Sequence, residues 1–180
     1  MVIGSFQKDG VGWGQGLEPK RIKGPDVFCD VVEKVAKKHK VFVVLTGPAR
    51  GYVRNRLDQA GIAYIHTYTE RPEEIISMYN LLDVYLVASC EEGGPLQVLE
   101  AMASGIPVVT TRVGMVSDVV EHGKNGLIAD VEDVDTLASY VERISCDRDL
   151  RQRLRSHGIE QAKFYSWKVV SNKYYGELYK

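Results

Sequence analysis

Residues 84–111 read Val-Tyr-Leu-Val-Ala-Ser-Cys-Glu-Glu-Gly-Gly-Pro-Leu-Gln-Val-Leu-Glu-Ala-Met-Ala-Ser-Gly-Ile-Pro-Val-Val-Thr-Thr. Two short apolar runs, Val84 to Ala88 and Pro107 to Thr111, flank a helix expected over Pro95 to Ser104. A strand, a helix and a strand in so few residues form a unit that winds into a parallel sheet with helices on both faces. Pro95 suits the first helical position, where a missing N–H costs nothing, and Gly93-Gly94 let a backbone pass close to a ligand.

The same rhythm runs outward in both directions. Strands are expected at Val2 to Phe6, Val41 to Thr46, Ala63 to Thr67 and Gly126 to Ile128, with helices at Pro25 to His39, Arg50 to Ala60, Pro72 to Leu82 and Ser117 to Glu121. Val41-Phe42-Val43-Val44-Leu45 is unbroken in its apolar character, as a strand covered on both sides requires. The fold class is therefore α/β, a doubly wound parallel sheet of about six strands, closed by helical segments at Val134 to Ser145, Arg148 to Lys163 and Ser166 to Tyr179. Trp167, Val170, Tyr174 and Leu178 fall at helical spacing, which predicts a buried stripe. One connection is too long for a tight βα join: Lys8 to Lys23, with Gly10, Gly12, Gly14, Gly16 and Trp13, is expected to be a mobile loop with a functional role. Its glycines are no dinucleotide fingerprint, because no helix opens directly behind them.

A length of 180 residues with 44% hydrophobic content suffices for one well-buried domain, spanning 1–180. Twenty-three basic against 24 acidic residues give no general reason to expect nucleic acid as partner. Charge is unevenly placed, however. Residues 91–135 are acid-rich, while Arg148, Arg151, Arg153, Arg155, Lys163, Lys168, Lys173 and Lys180 form a basic tail that reads first as a solvated helix face and leaves a peripheral membrane contact open. Cys29, Cys90 and Cys146 are odd in number and lack metal-ligand spacing, which fits a reducing cytosol. No apolar run approaches the ~20 residues of a membrane span, and Met-Val-Ile-Gly-Ser lacks the regions of a signal peptide.

Chemistry gathers where such sheets bind ligands, beyond the C-terminal ends of the strands. Free amides at a helix start near Gly94 to Leu96 would face an anion such as a diphosphate. Glu92 lies just outside that helix and Glu100 two turns inside it, so two carboxylates can accept paired hydrogen bonds from sugar hydroxyls at separate points. Together they read as a site for a sugar nucleotide, although Gly-Gly-Pro before a helix is also ordinary loop chemistry. No Ser/His/Asp or Cys/His arrangement supports a nucleophile, and His66 reads as structural.

Glu92-x7-Glu100, followed by Ala-Met-Ala-Ser-Gly-Ile-Pro-Val-Val at 101–109, resembles the Glu-x7-Glu signature of the group 1 (family 4) retaining glycosyltransferases of the GT-B fold. The resemblance covers essentially all 180 residues. It implies a Rossmann-like, donor-binding C-terminal half of a GT-B enzyme, whose acceptor-binding N-terminal domain lies outside this chain and without which it is inactive. It also implies a C-terminal helix that crosses back to the other domain, so that part of the stripe at Trp167, Val170, Tyr174 and Leu178 lacks its cover here. Glu92 would contact hydroxyls of the donor sugar on its reacting face, amides near Gly93, Gly94, Pro95 and Leu96 would hold the sugar or diphosphate, and Glu100 would grip the ribose. Lys23, in Lys23-Gly24, would neutralise the departing diphosphate. Relatives carry an arginine just after the first strand, where this chain has Ser5; Lys20, Arg21 or Arg50 could substitute. Gly47 and Pro48 match a glycine turn near the ligand, and Tyr68 and Thr69 match a segment along the nucleobase. No cofactor and no essential metal are implied: Asp133-x-Asp135 has metal-motif spacing, but its place at a helix start favours capping. Two alternatives stand beside this reading, a free-standing nucleotide-sugar-binding module without transfer activity and a GT-B-type sugar-nucleotide epimerase. A phosphate-receiver regulator would need an acidic cluster at the ends of the early strands, and none is found there.

Overall fold

The computed structural model describes residues 1–68 and 71–178. Within these residues six strands form one sheet: β1 (Val2–Phe6), β2 (Phe42–Thr46), β3 (Ala63–Thr67), β4 (Val84–Val87), β5 (Val108–Thr111) and β6 (Leu127–Ala129). Their order is β3-β2-β1-β4-β5-β6, and every pairing is parallel. Each expected strand is present with its ends within one residue.

Among the described residues, eight α-helices connect or follow the strands: α1 (Pro25–Ala36), α2 (Gly51–Gln59), α3 (Pro72–Tyr79), α4 (Leu96–Ala103), α5 (Val116–Val119), α6 (Val134–Cys146), α7 (Arg148–Phe164) and α8 (Trp167–Leu178). Successive strand residues point to opposite faces, so one sheet makes two cores. Val43, Leu45, Val84, Leu86, Val109 and Leu127 pack with α1, α2, α6 and part of α7. Val44, Tyr85, Val87, Val108 and Ile128 pack with Tyr79, Val98, Met102 and Val116 on the other side. Burying each such side chain contributes about 1.5–3 kcal/mol, which explains why both strand faces are apolar.

Caps fix the later helices. The Asp133 carboxylate accepts the Thr136 amide at 3.0 Å and Asp147 accepts that of Leu150 at 2.8 Å, so the Asp133-x-Asp135 pair does begin a helix. One expectation fails. Pro95 is the residue before the first turn of α4, which starts at Leu96. The long loop after β1 is tied at several points: Gly10 bridges Pro19, and the amides of Gly51 and Tyr52 donate to the carbonyls of Gln15 and Gly16 at 2.8 and 2.7 Å. Those bonds satisfy donors at the start of α2 that would otherwise be orphaned. On α8 no residue is buried and Trp167 is 82% exposed, so the stripe lacks a cover here, the outcome that the resemblance allows. Helical spacing found the stripe on α8, where Trp167 and Val170 border a depression shared with Leu96, Leu99 and Met115.

Candidate functional site

The chain reverses its direction of travel across the sheet between β1 and β4, and their following loops diverge to leave a crevice at the C-terminal edge. A 3-10 turn, Arg21–Lys23, is fastened to the β4 side by the Ile22 carbonyl, which accepts the amides of Cys90 and Glu91, both at 3.0 Å. Gly24 follows with φ 59°, and a Cβ there would lie 1.9 Å from the Ala88 carbonyl oxygen, so only glycine lets the two segments meet. The consequence is a fixed position for Lys23. Its Nζ stands 2.6 Å from Glu92 Oε2, with the side chains 23% and 12% exposed. Ser89 Oγ donates to the other Glu92 oxygen at 3.2 Å, and Gln7 Nε2 donates to the Lys23 carbonyl at 3.1 Å.

Glu100 is held separately. The Tyr79 hydroxyl donates to its Oε2 at 2.8 Å, and Tyr79 stacks in a cluster with Phe6 and Tyr85 whose ring centroids are 4.6 to 5.5 Å apart. Burial, then the neighbouring Tyr85 and Glu100, push the Tyr79 phenol far above its ordinary value, so it remains a donor.

Two adjoining depressions follow from this arrangement. One, of about 270 Å³, is lined by Phe6, Thr46, Gly47, Pro48, Tyr68, Ile75 and Glu100. The other, of about 280 Å³, is lined by Lys20, Lys23, Glu92, Gly94 and Leu96. Gln7, Lys8 and Gln97 line both, which makes one elongated cleft with Glu100 toward one end and Glu92 toward the other. Three lysines beside one carboxylate give the second depression a positive potential suited to a diphosphate. The first-turn amides of α4, which has no side-chain cap, open on the same place. A larger cavity of about 450 Å³ lies between Ser117–Asn125 and α7, without a lysine cluster or a helix start of this kind. Size alone therefore does not choose the site.

The structure gathers Lys23, Gly47, Pro48, Tyr68, Gly94, Leu96, Glu92 and Glu100 around this cleft. Gly93 is exposed on the same loop, Pro95 is buried ahead of α4, and Thr69 lies outside the described residues. Two expected ligands are corrected. Arg50 is 1% exposed and donates through Nη1 to the carbonyls of Ser5, Gln7 and Thr46 at 2.8, 2.7 and 3.1 Å, while Nη2 donates to Ser5 Oγ at 3.1 Å. Ser5 and Arg50 therefore satisfy each other beneath the cleft and do not face it. Arg50 Nη2 also stands 3.1 Å from Asp9 Oδ2, a close ion contact without hydrogen-bond alignment, since both Asp9 carboxylate oxygens are otherwise unbonded. Burial pushes Asp9 up to about 6 against the pull of Arg50, and burial also draws Arg50 below its ordinary value. The His66 ring is 2.8 Å from the Gly47 carbonyl oxygen, and burial lowers its pKa. Among the described residues, no group of three or more His, Cys, Asp or Glu side chains is placed to hold a metal ion, and no helix is long and apolar enough to cross a membrane.

Residues 17–161 match the family model of the glycosyl transferases group 1. The chain belongs to the group 1 glycosyltransferases. Its relatives include a D-inositol 3-phosphate glycosyltransferase of Corynebacterium jeikeium, 30% identical over 174 residues that cover 88% of this chain and 42% of that protein. This group 1 chain thus spans less than half the length of that curated relative. Sucrose-phosphate synthase from Thermosynechococcus elongatus superposes with a TM-score of 0.81 at 22% identity, over 99% of this chain and 44% of the other. Anabaena HepE, in complex with UDP and glucose, gives 0.76 at 20% identity, over 98% and 47%. The group 1 fold seen here is thus the Rossmann-like part of longer GT-B chains.

Sequence reasoning missed Gln7, Lys8, Gln97 and Tyr79. Gln97 stands three residues before Glu100 on one helix face, a spacing that could have found it. Tyr79 has no local signal, being 21 residues from the carboxylate it orients.

Proposed function

We propose that this chain is the donor-binding C-terminal half of a retaining glycosyltransferase that takes a nucleoside diphosphate sugar and serves an acceptor bound by a second domain. The observation that carries it is the shared cleft, with Glu100 at one end, Glu92 at the other, and the α4 amides with Lys8, Lys20 and Lys23 between or beside them. Glu100, oriented by Tyr79, is the ribose anchor. The depression containing Gly47, Pro48 and Tyr68 takes the base. Lys23 and the α4 amides hold the diphosphate and stabilise its departing charge without calling on a metal, a preorganised arrangement that favours the transition state over the bound donor. Glu92 accepts hydroxyls of the transferred sugar on its reacting face. The complex of the relative HepE with UDP and glucose supports a donor of this class. The chain by itself offers half a cleft and is inactive until the acceptor domain closes over it, in the cytoplasm.

Thermal unfolding in the presence of UDP, GDP and ADP and their sugar conjugates tests this. One base should raise the melting temperature, since a ligand at a hundred times its Kd stabilises the native state by about 2.7 kcal/mol. Glu100→Ala should abolish the shift for both the free nucleotide and its conjugate. Silence from all six compounds would end the assignment.

A further inference from the structure

Resting on that donor-site reading, we propose that the Lys23–Glu92 ion pair is a specificity element that disfavours the free nucleoside diphosphate relative to its sugar conjugate, favouring release of the nucleotide once the sugar has left. In the structure the two side chains satisfy each other at 2.6 Å, with Glu92 largely withdrawn from water. Neither can drift away easily. Ser89, itself fully buried, donates to Glu92, Gln7 anchors the Lys23 carbonyl, and the Ile22 carbonyl ties the two loops together by two backbone bonds.

A phosphate that enters must take Lys23 from Glu92. With a nucleoside diphosphate alone, the carboxylate is then left with the single Ser89 hydroxyl and an anionic phosphate as neighbour. A half-dry carboxylate that loses its cation carries a desolvation cost with no return. The sugar conjugate differs in one respect: its hydroxyls donate to the carboxylate just where the ammonium departs. Both partners of the pair are then replaced, and the cost of separating them is offset. The other cations lining this depression, Lys8 and Lys20, do not share in the effect, because neither forms an ion pair with Glu92; Lys8 rests over the Trp13 ring, 3.7 Å from its centroid.

Calorimetric titration of the chain with UDP and UDP-glucose tests the proposal, or with the guanosine or adenosine pair if the thermal screen selects that base. Glu92→Gln should tighten UDP by about tenfold, the scale of one charge-assisted hydrogen bond, and leave UDP-glucose little changed, because the hydroxyl contacts it weakens offset the pair that no longer has to be broken. In a Lys23→Ala background the same change should leave UDP affinity unaltered, since no pair remains to break. Glu91→Gln removes an equal charge one residue away and should alter neither affinity. Should Glu92→Gln not fold, Glu92→Ala carries the same expectation for UDP. Unchanged or weaker UDP binding by the Glu92 variant overturns the proposal, as does an equal gain from Glu91→Gln or a gain that persists without Lys23. A wild-type chain that binds none of the nucleotides or conjugates overturns instead the donor-site reading beneath it.

Discussion

Arg50 gathers three carbonyl oxygens from the ends of β1 and β2, and so fixes the floor beneath Gln7 and Gly47 in the cleft. Its counter-ion, Asp9, belongs to the loop after β1, so one buried pair holds the strand ends to that loop. Breaking such a pair from one side leaves a buried charge alone, and Arg50→Met should lower stability by about 3–5 kcal/mol in urea unfolding. Asp9 also predicts a pH dependence. Its folded pKa of about 6 lies above the unfolded value of 3.8, so the native state keeps a proton that the unfolded chain loses. The stabilisation is complete below about pH 4 and is lost as pH rises through 6. The stability of the wild type relative to Asp9→Asn should therefore fall by on the order of 2–3 kcal/mol between pH 4 and 7. A flat difference across that range would remove Asp9 as the titrating group. Sequence reasoning offered Arg50 as a substitute for the arginine that relatives carry where this chain has Ser5. Its partner stands 41 residues earlier, and only the pairing of β1 with β2 brings them together.

At the scale of elements, the strands were the most legible part. Apolar runs buried on both faces leave little freedom in where a strand begins, as at β4 and β5, and even the edge strand β3, with no fully buried residue, lies where its pattern puts it. Helix ends were less readable, as at α3, which stops at Tyr79 where the pattern allowed Leu82. The candidate site was legible to the extent that it is local: Glu92, Glu100 and the start of α4 sit within one βα unit. Contacts between units were not, and Gly24 is one of them. Gly24→Ala should cost about 2–4 kcal/mol, combining a left-handed backbone with a clash against the Ala88 carbonyl. Because the displaced residue next to it is Lys23, nucleotide affinity should fall as well, measured by titration at a temperature where the variant is still folded. Gly114, at φ 48°, makes a similar approach to the carbonyls of Glu92 and Gly93 from the other side of the site.

Across the whole molecule, stability resides in the sheet and the helices laid on its two faces, and α8 stands apart from both. Deleting residues 167–180 removes no buried side chain among those described, so the melting temperature should fall by no more than a few degrees. A collapse of cooperative unfolding on that deletion would show that α8 is structural after all. The chain has two tryptophans, Trp13 and Trp167, and both stand more than four-fifths in water. Their fluorescence will thus change little in wavelength when denaturant dissolves the core, and unfolding has to be followed by circular dichroism. The same optical quietness makes Trp13 a clean reporter of occupancy in a Trp167→Phe background. When an incoming phosphate draws the Lys8 ammonium off its indole, emission from that one ring should shift against a silent background.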